Sequence, residues 1–244
     1  MINTVRRLIP NFILLITLIY FALFAGWYVC YSNYFFFPVV YELEDIHGHV
    51  LEYAPQNRRG RADFVYVSPA YHLRIFGEML HAVEHGGEGL AQISYPAGRG
   101  KKKFLTGAEQ THLQDVANLL TAIRSVWYLM LAGFAASVVF MSYKKIRPYS
   151  MRTISLGTVV CGGVLYVFLS VFGFEKIFYR LHELVFPAGH KWFFYYQDSL
   201  MSTMLKAPDS FADMGLIMGA VSLGLFIVVY KLIQFGMNGF ICKN

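Results

Sequence analysis

Four long apolar stretches set the strongest limit on what this chain can fold into. A helix needs about 20 apolar residues to cross the hydrocarbon core of a bilayer, and four segments reach that length with at most one charged residue each. The chain is 56% hydrophobic and 15% charged, whereas about 25% of the residues in a soluble domain are charged. These features predict a membrane protein and exclude an ordinary cytosolic enzyme. The predicted spans cover residues 12–30, 119–143, 153–174 and 214–235.

The first apolar stretch follows Arg6 and Arg7, an arrangement that signal peptides share. Its apolar run is longer than that of a typical signal peptide, and no small-residue cleavage pattern follows it. Aromatic residues cluster at its far end, as they do where spans meet the membrane surface. We therefore interpret this stretch as a transmembrane helix.

The distribution of charge along the chain predicts an orientation. Residues 1–11, the 144–152 loop and the segment after residue 235 contain seven basic residues and no acidic residue. The 36–118 and 175–213 segments contain twelve basic and fifteen acidic residues. Because cytoplasmic loops carry the excess of Lys and Arg, both termini and the 144–152 loop are predicted to be cytoplasmic. The net charge of +6 thus reflects membrane topology and does not indicate a nucleic-acid partner.

These observations predict an all-α membrane protein with four transmembrane helices and a small mixed α/β cap outside the cytoplasm. Gly162 and Gly163 in the third span are predicted to allow a close helix contact. The predicted segments are the N-terminus and first span (1–35), the cap (36–111), an interfacial start and second span (112–143), a cytoplasmic loop (144–152), the third span (153–174), an outer loop (175–213), and the fourth span with the cytoplasmic tail (214–244).

Alternation and turn signals predict the structure of the cap. Residues 39–43 and 50–53 flank a turn-like segment and predict a β-hairpin, and residues 63–67 and 91–95 are further strand candidates. Ser68 and Pro69 predict the start of a helix that ends before Gly86. Its apolar side is predicted to carry Leu73, Phe76, Leu80 and Val83 and to lie on the bilayer surface, with His72, His81 and His85 elsewhere. The basic run 98–103 is predicted to be a solvated turn or a contact for lipid headgroups.

Titratable residues cluster where the second span begins. Thr106 and Glu109 have the spacing of a helix capping box, which favours a structural role for Glu109 over a catalytic one. Glu109, His112 and Asp115 follow one another at three-residue intervals and share one helix face. A carboxylate beside His112 would select its tautomer and raise its basicity.

A second histidine lies in the outer loop before the fourth span. His182 interrupts an apolar stripe formed by Phe178, Val185 and Phe186. A lone histidine on such a face is usually a hydrogen-bonded structural residue. Two such histidines, both near span ends on the outer side and both among aromatic residues, favour a catalytic interpretation.

Other kinds of site receive less support from the sequence. The histidine spacings of common zinc sites do not occur, and His47 and His49 form an isolated pair in a turn-like segment. Cys30, Cys161 and Cys242 lie in or beside apolar runs and suggest neither disulfides nor a zinc site. We predict no metal and no cofactor. Arg124, near the outer end of its span, is expected to reach lipid headgroups or pair with a loop carboxylate; the alternative is a contact with substrate oxygens.

Two motifs resemble the lipoprotein intramolecular transacylase family of bacterial membrane proteins. They are Ala-Glu-Gln-Thr-His-Leu-Gln-Asp-Val at 108–116 and Phe-Tyr-Arg-Leu-His-Glu-Leu-Val-Phe-Pro at 178–187. The resemblance implies four spans with an extracytoplasmic cap and active site in the cytoplasmic membrane. It also implies transfer of an acyl chain from the sn-2 glyceryl position of a diacylglyceryl lipoprotein to the α-amino group of its N-terminal cysteine. The product is a lyso-form lipoprotein.

By this resemblance, the two catalytic histidines fall on His112 and His182. The residues expected to support the site or bind substrate are Asp115, Glu109, Arg124, Phe178, Trp192 and Asp198. One histidine would act as base and the other as acid or oxyanion stabiliser, and the neighbouring Asp115 favours His112 as the base. The expected partners are diacylglyceryl lipoproteins and membrane lipids. The alternatives are a non-enzymatic membrane protein that binds a lipid or a partner, and an acyltransferase that uses a phospholipid donor.

Overall fold

The computed structural model describes residues 2–243, with side chains for residues 7–239. The chain divides into two compact units. The membrane unit comprises the described residues up to Cys30, Ser125–Gly173 and the described residues from Ile217 onward, whereas the cap unit comprises Tyr31–Arg124 and Phe174–Leu216.

The secondary structure is dominated by helices. Short 3₁₀ helices occupy Tyr34–Phe36, Ala54–Gln56, Ala62–Tyr66, Leu90–Gln92 and Tyr196–Asp198. The α-helices and strands, in chain order, are α1 (Ile2–Ser32), α2 (Phe37–Leu43), α3 (Ile46–Tyr53), α4 (Pro69–Glu84), β1 (Ser94–Ala97), β2 (Gly100–Lys103), α5 (Gly107–Ser125), α6 (Trp127–Tyr143), α7 (Met151–Phe172), α8 (Phe174–Val185), α9 (Leu200–Leu205) and α10 (Asp209–Lys243).

Within the described residues, four helical segments are long and apolar enough to cross a membrane, as the sequence predicts. They are Arg7–Ser32, Gly107–Tyr143, Met151–Phe172 and Asp209–Gly239. The second of them combines α5 and α6, which are separated only by Val126. At the start of α7, the Ser150 hydroxyl accepts a hydrogen bond of 3.2 Å from the backbone N–H of Thr153, which satisfies one of the free donors of a helix N-terminus.

The membrane unit contains a small buried core and one close approach between helices. Leu14, Met141, Phe226 and Tyr230 belong to the core cluster. A Cβ atom on Gly26 would lie 2.1 Å from the Ser222 hydroxyl, so α1 and α10 pack closely because residue 26 has no side chain.

The close helix contact that Gly162 and Gly163 permit is not formed within the described part of the chain. Among the described residues, no heavy atom lies within 4 Å of a Cβ atom built at either glycine. The glycine pair in the sequence shows that a close approach is sterically possible, but it does not specify which helix forms the contact.

The hairpin predicted for residues 39–53 is wrong, because this segment forms α2 and α3. Phe37, Val40 and Tyr41 are buried, a spacing that places them on one face of a helix. The Asp45 carboxylate accepts a hydrogen bond of 3.1 Å from Gly48 N–H and caps α3. Among the β-branched and aromatic residues that suggested strands, Val40, Tyr41 and Val50 are buried in the cap unit, and their packing overrides strand propensity.

Strands occur only later in the described part of the cap unit. Residues 63–67, predicted as a strand, lie largely in the 3₁₀ helix Ala62–Tyr66. The strand predicted at 91–95 begins at Ser94 as β1 and pairs antiparallel with β2, with Tyr95 opposite Lys102. β2 takes up part of the basic run, and Lys102 forms an ion pair of 2.9 Å with Asp63. This hairpin supports the small mixed α/β character predicted for the cap.

Helix α4 has nearly the predicted bounds but buries a different face. Its buried residues are His72, Ile75, Phe76, Met79, Ala82 and Val83, whereas Leu73 and Leu80 of the predicted apolar side are only half-buried. His72 is fully buried, and its Nδ1 lies 2.7 Å from the Tyr41 hydroxyl. The predicted placement of His72 away from the buried side is therefore wrong, whereas the contact of α4 with a bilayer surface stays a prediction.

Candidate active site

A buried glutamate determines where α5 begins. The Glu109 carboxylate accepts a hydrogen bond of 2.5 Å from Thr106 N–H, and the Thr106 hydroxyl accepts one of 3.3 Å from Glu109 N–H. This is the capping box that the sequence predicts. Glu109 is fully buried, so its role in starting the helix positions the residues one turn further along α5.

The second oxygen of Glu109 connects α5 to a distant segment. The Ser199 hydroxyl donates a hydrogen bond to it, and the same hydroxyl accepts one of 2.9 Å from Ser202 N–H at the start of α9. One buried carboxylate therefore holds two helix N-termini together. Sequence reasoning missed Ser199, because the two residues are 90 positions apart.

His112 lies one turn after Glu109 and is 9% exposed. Its ring centre is 4.9 Å from that of Phe186 and 6.1 Å from that of Phe194. The Nδ1 atom of His112 is buried and has no hydrogen-bond partner among the described residues. A buried polar nitrogen without a partner is costly and commonly indicates a position that a ligand or a water molecule completes.

His182 is contributed by α8 and lies among aromatic rings. Its ring centre is 4.1 Å from that of Phe178, 5.0 Å from that of Trp192 and 5.2 Å from that of Phe186. Burial lowers the pKa of His182, and its hydrogen bond to the Phe178 carbonyl opposes that effect. His182 is therefore neutral at physiological pH.

The hydrogen bond of His182 selects one tautomer. Its Nδ1 lies 2.8 Å from the carbonyl oxygen of Phe178. Because a carbonyl oxygen can only accept, Nδ1 must carry the proton, and Nε2 keeps a free lone pair. An imidazole with this tautomer can take up a proton at Nε2.

The two histidines that the sequence singles out come together in the cap unit. The ring centres of His112 and His182 are 5.9 Å apart, with an angle of 35° between the rings. Phe186 contacts both rings. The arrangement places two proton-transfer groups beside one apolar, aromatic surface.

Asp115 does not form the expected hydrogen bond with His112, although its charge opposes the effect of burial and of His182, which together lower the pKa of His112 to about 4. Its Oδ2 lies 2.7 Å from Nδ1 of His190, and the Asp115 side chain is 9% exposed. His190 belongs to the loop that also carries Trp192 and Phe194, so this hydrogen bond holds the aromatic loop against α5. Sequence reasoning missed His190, because it lies in an irregular segment after Pro187, without any periodic pattern that could mark its partner.

About half of the chain, including both histidines, matches a known protein family. The family model of the lipoprotein intramolecular transacylase Lit matches residues 91–211, a range that contains His112 and His182. The chain belongs to this family. Membership places it among acyltransferases, as the sequence analysis predicted.

Solved structures of the membrane integral lipoprotein intramolecular transacylase Lit from Bacillus cereus share the fold. A variant with a histidine-to-arginine substitution aligns with a TM-score of 0.61 at 16% identity, covering 100% of this chain and 95% of that chain. A second structure aligns with a TM-score of 0.59 at 16% identity, covering 96% and 95%. A histidine-to-alanine variant has a TM-score of 0.59 at 17% identity, covering 96% and 93%. No curated protein sequence matches this chain.

The other candidate residues fall inside the range that the family model matches, but their contacts differ. Arg124 pairs with the Glu84 carboxylate and donates a hydrogen bond of 3.2 Å to the Glu84 carbonyl. Of the contacts expected for Arg124, the structure shows the pairing with a carboxylate of the 36–118 segment. Asp198 ends a 3₁₀ helix, and its backbone carbonyl accepts from Arg61 at 3.5 Å.

Only some of the aromatic residues in the loop lie near the two histidines. Trp192 and Phe194 approach the histidines, as described above, whereas Phe193 packs against Tyr179 and Tyr196 packs against His49. Phe178 also approaches Phe211 at 6.2 Å between ring centres. Only part of the aromatic run therefore surrounds the two imidazoles of this family member.

The residues that could hold a metal are dispersed. Within the described part of the chain, no three His, Cys, Asp or Glu side chains group to form a metal site. Cys30 is buried and Cys161 is exposed, and both are free thiols. The side chain of Cys242 lies outside the described residues.

Proposed function

We propose that this protein transfers an acyl chain within one diacylglyceryl lipoprotein, from the sn-2 glyceryl oxygen to the α-amino group of the N-terminal cysteine. The observation that carries the proposal is the pair of imidazoles, His112 and His182, 5.9 Å apart between ring centres within the range of the Lit family match. The product is a lyso-form lipoprotein. No cofactor is needed, because the nucleophile and the ester belong to the same molecule.

The reaction requires two proton movements. The α-amine, with an ordinary pKa near 8, must be neutral to attack the ester carbonyl, and it loses a proton as the C–N bond forms. The glyceryl oxygen gains a proton as its bond to the acyl carbon breaks. One group that takes the amine proton and returns it to the glyceryl oxygen, and a second that donates a hydrogen bond to the oxyanion of the acyl carbon, therefore suffice.

We assign the base to His182 and the oxyanion contact to His112. Nδ1–H of His182 is occupied by the Phe178 carbonyl, so its Nε2 is free to accept the amine proton. His112 is more deeply buried, and an N–H aimed at developing charge is most effective where water is excluded. This reverses the preference for His112 as base, because the carboxylate of Asp115 binds His190.

The aromatic surroundings support binding and folding of the substrate. Phe186 contacts both imidazoles, and Trp192 contacts His182. Holding the amine and the ester in contact can contribute as much as acid–base catalysis. Acyl chains are apolar, so an aromatic surface next to the histidines suits them.

We place the cap unit and its histidines outside the cytoplasm and both termini inside. The support is the excess of basic over acidic residues in the terminal segments and the 144–152 loop, because cytoplasmic loops carry the excess of Lys and Arg. We further assign the protein to the bacterial cytoplasmic membrane, where diacylglyceryl lipoproteins reside.

The test is an acyl-migration assay with the purified full chain. A diacylglyceryl lipopeptide with a free α-amine is incubated with the protein, and the product is fragmented by mass spectrometry. We expect an unchanged intact mass, with one acyl chain moved to nitrogen. His112→Ala and His182→Ala should abolish the shift, whereas His81→Ala, an exposed histidine on α4, should retain it.

The same spectra separate the alternatives. A mass increase of one acyl chain would indicate a phospholipid donor and contradict the intramolecular reaction. Binding of the lipopeptide without any rearrangement would indicate a non-enzymatic protein. An N-acetylated lipopeptide is the matched substrate control, because its blocked amine cannot accept the chain.

A further inference from the structure

Helix α8 has an apolar side that no part of the described protein covers. Leu184 is 69% exposed, Leu181 54% and Val185 46%. With Phe174, they lie on one face of a 12-residue helix. A contiguous exposed apolar face of this kind indicates a surface that binds another protein, an apolar ligand or a membrane.

The remaining sides of α8 have different chemistry. Phe178 and His182 face the ring cluster and are half-buried, as described above. Lys176 is exposed, and Arg180 pairs with Glu183 at 2.8 Å on the surface. The helix therefore has an active-site side, a charged side and an uncovered apolar side.

The position of α8 in the chain indicates what covers the apolar side. Only Gly173, in a left-handed conformation with φ of 78°, separates α8 from the predicted span α7. Because consecutive Cα atoms are about 3.8 Å apart, Phe174 lies within about 8 Å of the last residue of that span. The first residue of α8 therefore lies at the membrane boundary.

The length of α8 excludes a second crossing. Twelve residues rise about 18 Å as a helix, which is too short for a hydrocarbon core of about 30 Å. A short helix at the boundary, with one apolar and one charged side, fits a position in the plane of the membrane surface. The partner that suits Leu181 and Leu184 is therefore the acyl chains of bilayer lipids.

We propose that α8 is an in-plane membrane helix whose apolar side, formed by Phe174, Leu181, Leu184 and Val185, is inserted among lipid acyl chains. Such helices sit about 5–10 Å into the boundary between headgroups and acyl chains. His182, on the adjoining side, is then held near the depth of glyceryl esters. This last consequence rests on the proposed function, whereas the insertion itself does not.

The test measures how deeply positions on α8 lie in the bilayer. Nitroxide labels are attached to the full chain in vesicles of phosphatidylcholine and phosphatidylglycerol. Leu184→Cys reports the apolar side and Lys176→Cys is the matched control on the charged side, both in a background with Cys30, Cys161 and Cys242 replaced by alanine. We expect the label at 184 to collide with molecular oxygen and to be shielded from a water-soluble nickel chelate. The label at 176 should show the opposite preference.

Two results would overturn the proposal. Equal access of the nickel chelate to both labels would place α8 in water. Shielding of the label at 184 from both reagents, with dipolar broadening between labels, would identify a second copy of the chain as the occupant. The measurement needs no substrate, so it is independent of whether acyl transfer is observed, and Leu181→Cys repeats it at a second apolar position.

Discussion

The Nδ1 atom of His182 lies 2.8 Å from the carbonyl oxygen of Phe178, one turn earlier in the same helix. This single contact fixes the proton on Nδ1 and leaves Nε2 as the acceptor. It also orients the ring toward His112, whose ring centre is 5.9 Å away. Local helix geometry thus prepares one histidine as a base, whereas the partner histidine arrives from a helix about 70 residues earlier in the sequence.

The tautomer of His182 leads to a prediction for the pH dependence of acyl transfer. Burial lowers the pKa of His182 below its ordinary value of 6.5, so the base is neutral above that value and is lost as the pH falls through the lowered one. The substrate amine must also be neutral, with a pKa near 8. As the pH falls below about 8, protonation of the substrate amine should lower log kcat/KM by one per pH unit. Below the pKa of His182, protonation of the base as well should make the decrease two per pH unit. A single slope, measured with the lipopeptide assay down to a pH at which NMR titration shows His182 to be protonated, would contradict a catalytic base in the enzyme.

The hydrogen bond between Asp115 and His190 predicts a modest kinetic effect. The side chain of His190 is 44% exposed and that of Asp115 is 9% exposed, and a hydrogen bond within a protein is worth about 0.5–1.5 kcal/mol. His190→Ala and Asp115→Ala should each lower kcat/KM by up to about tenfold, mainly through KM, and the double variant should add little. Loss of a true proton-transfer group would cost about 10²–10⁴-fold. A loss of that size in His190→Ala would instead make His190 a catalytic residue.

The buried carboxylate of Glu109 predicts a loss of stability. Removing a helix cap costs about 0.5–2 kcal/mol, and an unsatisfied buried group adds about 1–3 kcal/mol, here at Ser199. Glu109→Ala should lower the thermal unfolding midpoint clearly, whereas Glu109→Gln retains an acceptor and should lower it less. Differential scanning fluorimetry in detergent measures both, with the exposed Glu88→Gln as control. A Glu109→Gln protein that remains folded but has no activity would show that the carboxylate has a chemical role.

His72 predicts a pH-dependent stability for the cap unit. Burial, and then the neighbouring His47, lower the pKa of His72 to about 4. Between pH 6.5 and 4 the unfolded chain binds a proton that the folded chain excludes, so stability falls as the pH falls, by up to about 3 kcal/mol. Above pH 6.5 this contribution is constant. His72→Gln should flatten the dependence of the unfolding midpoint on pH, and exposed His81→Gln should leave it unchanged; equal slopes in all three proteins would refute the assignment.

Features that depend on nearby residues could be predicted from the sequence. The spans follow from hydropathy summed over about 20 residues, and the capping box follows from two residues three positions apart. The bounds of α4 follow from Pro69 at its start and Gly86 just beyond its end. The hairpin predicted at 39–53 failed because strand propensity depends on what the side chains pack against.

The sequence alone determined the membrane character of the chain and marked His112 and His182, because the hydropathy of a segment and the composition around a histidine are local properties. Tertiary structure alone decided that these two rings meet and that Arg124 pairs with Glu84. It also decided that Asp115 pairs with His190, which is 75 residues away. Any acidic side chain can pair with any basic one, so the choice of partner depends on which helices and loops packing brings together, and the spacing of residues along the chain does not encode it.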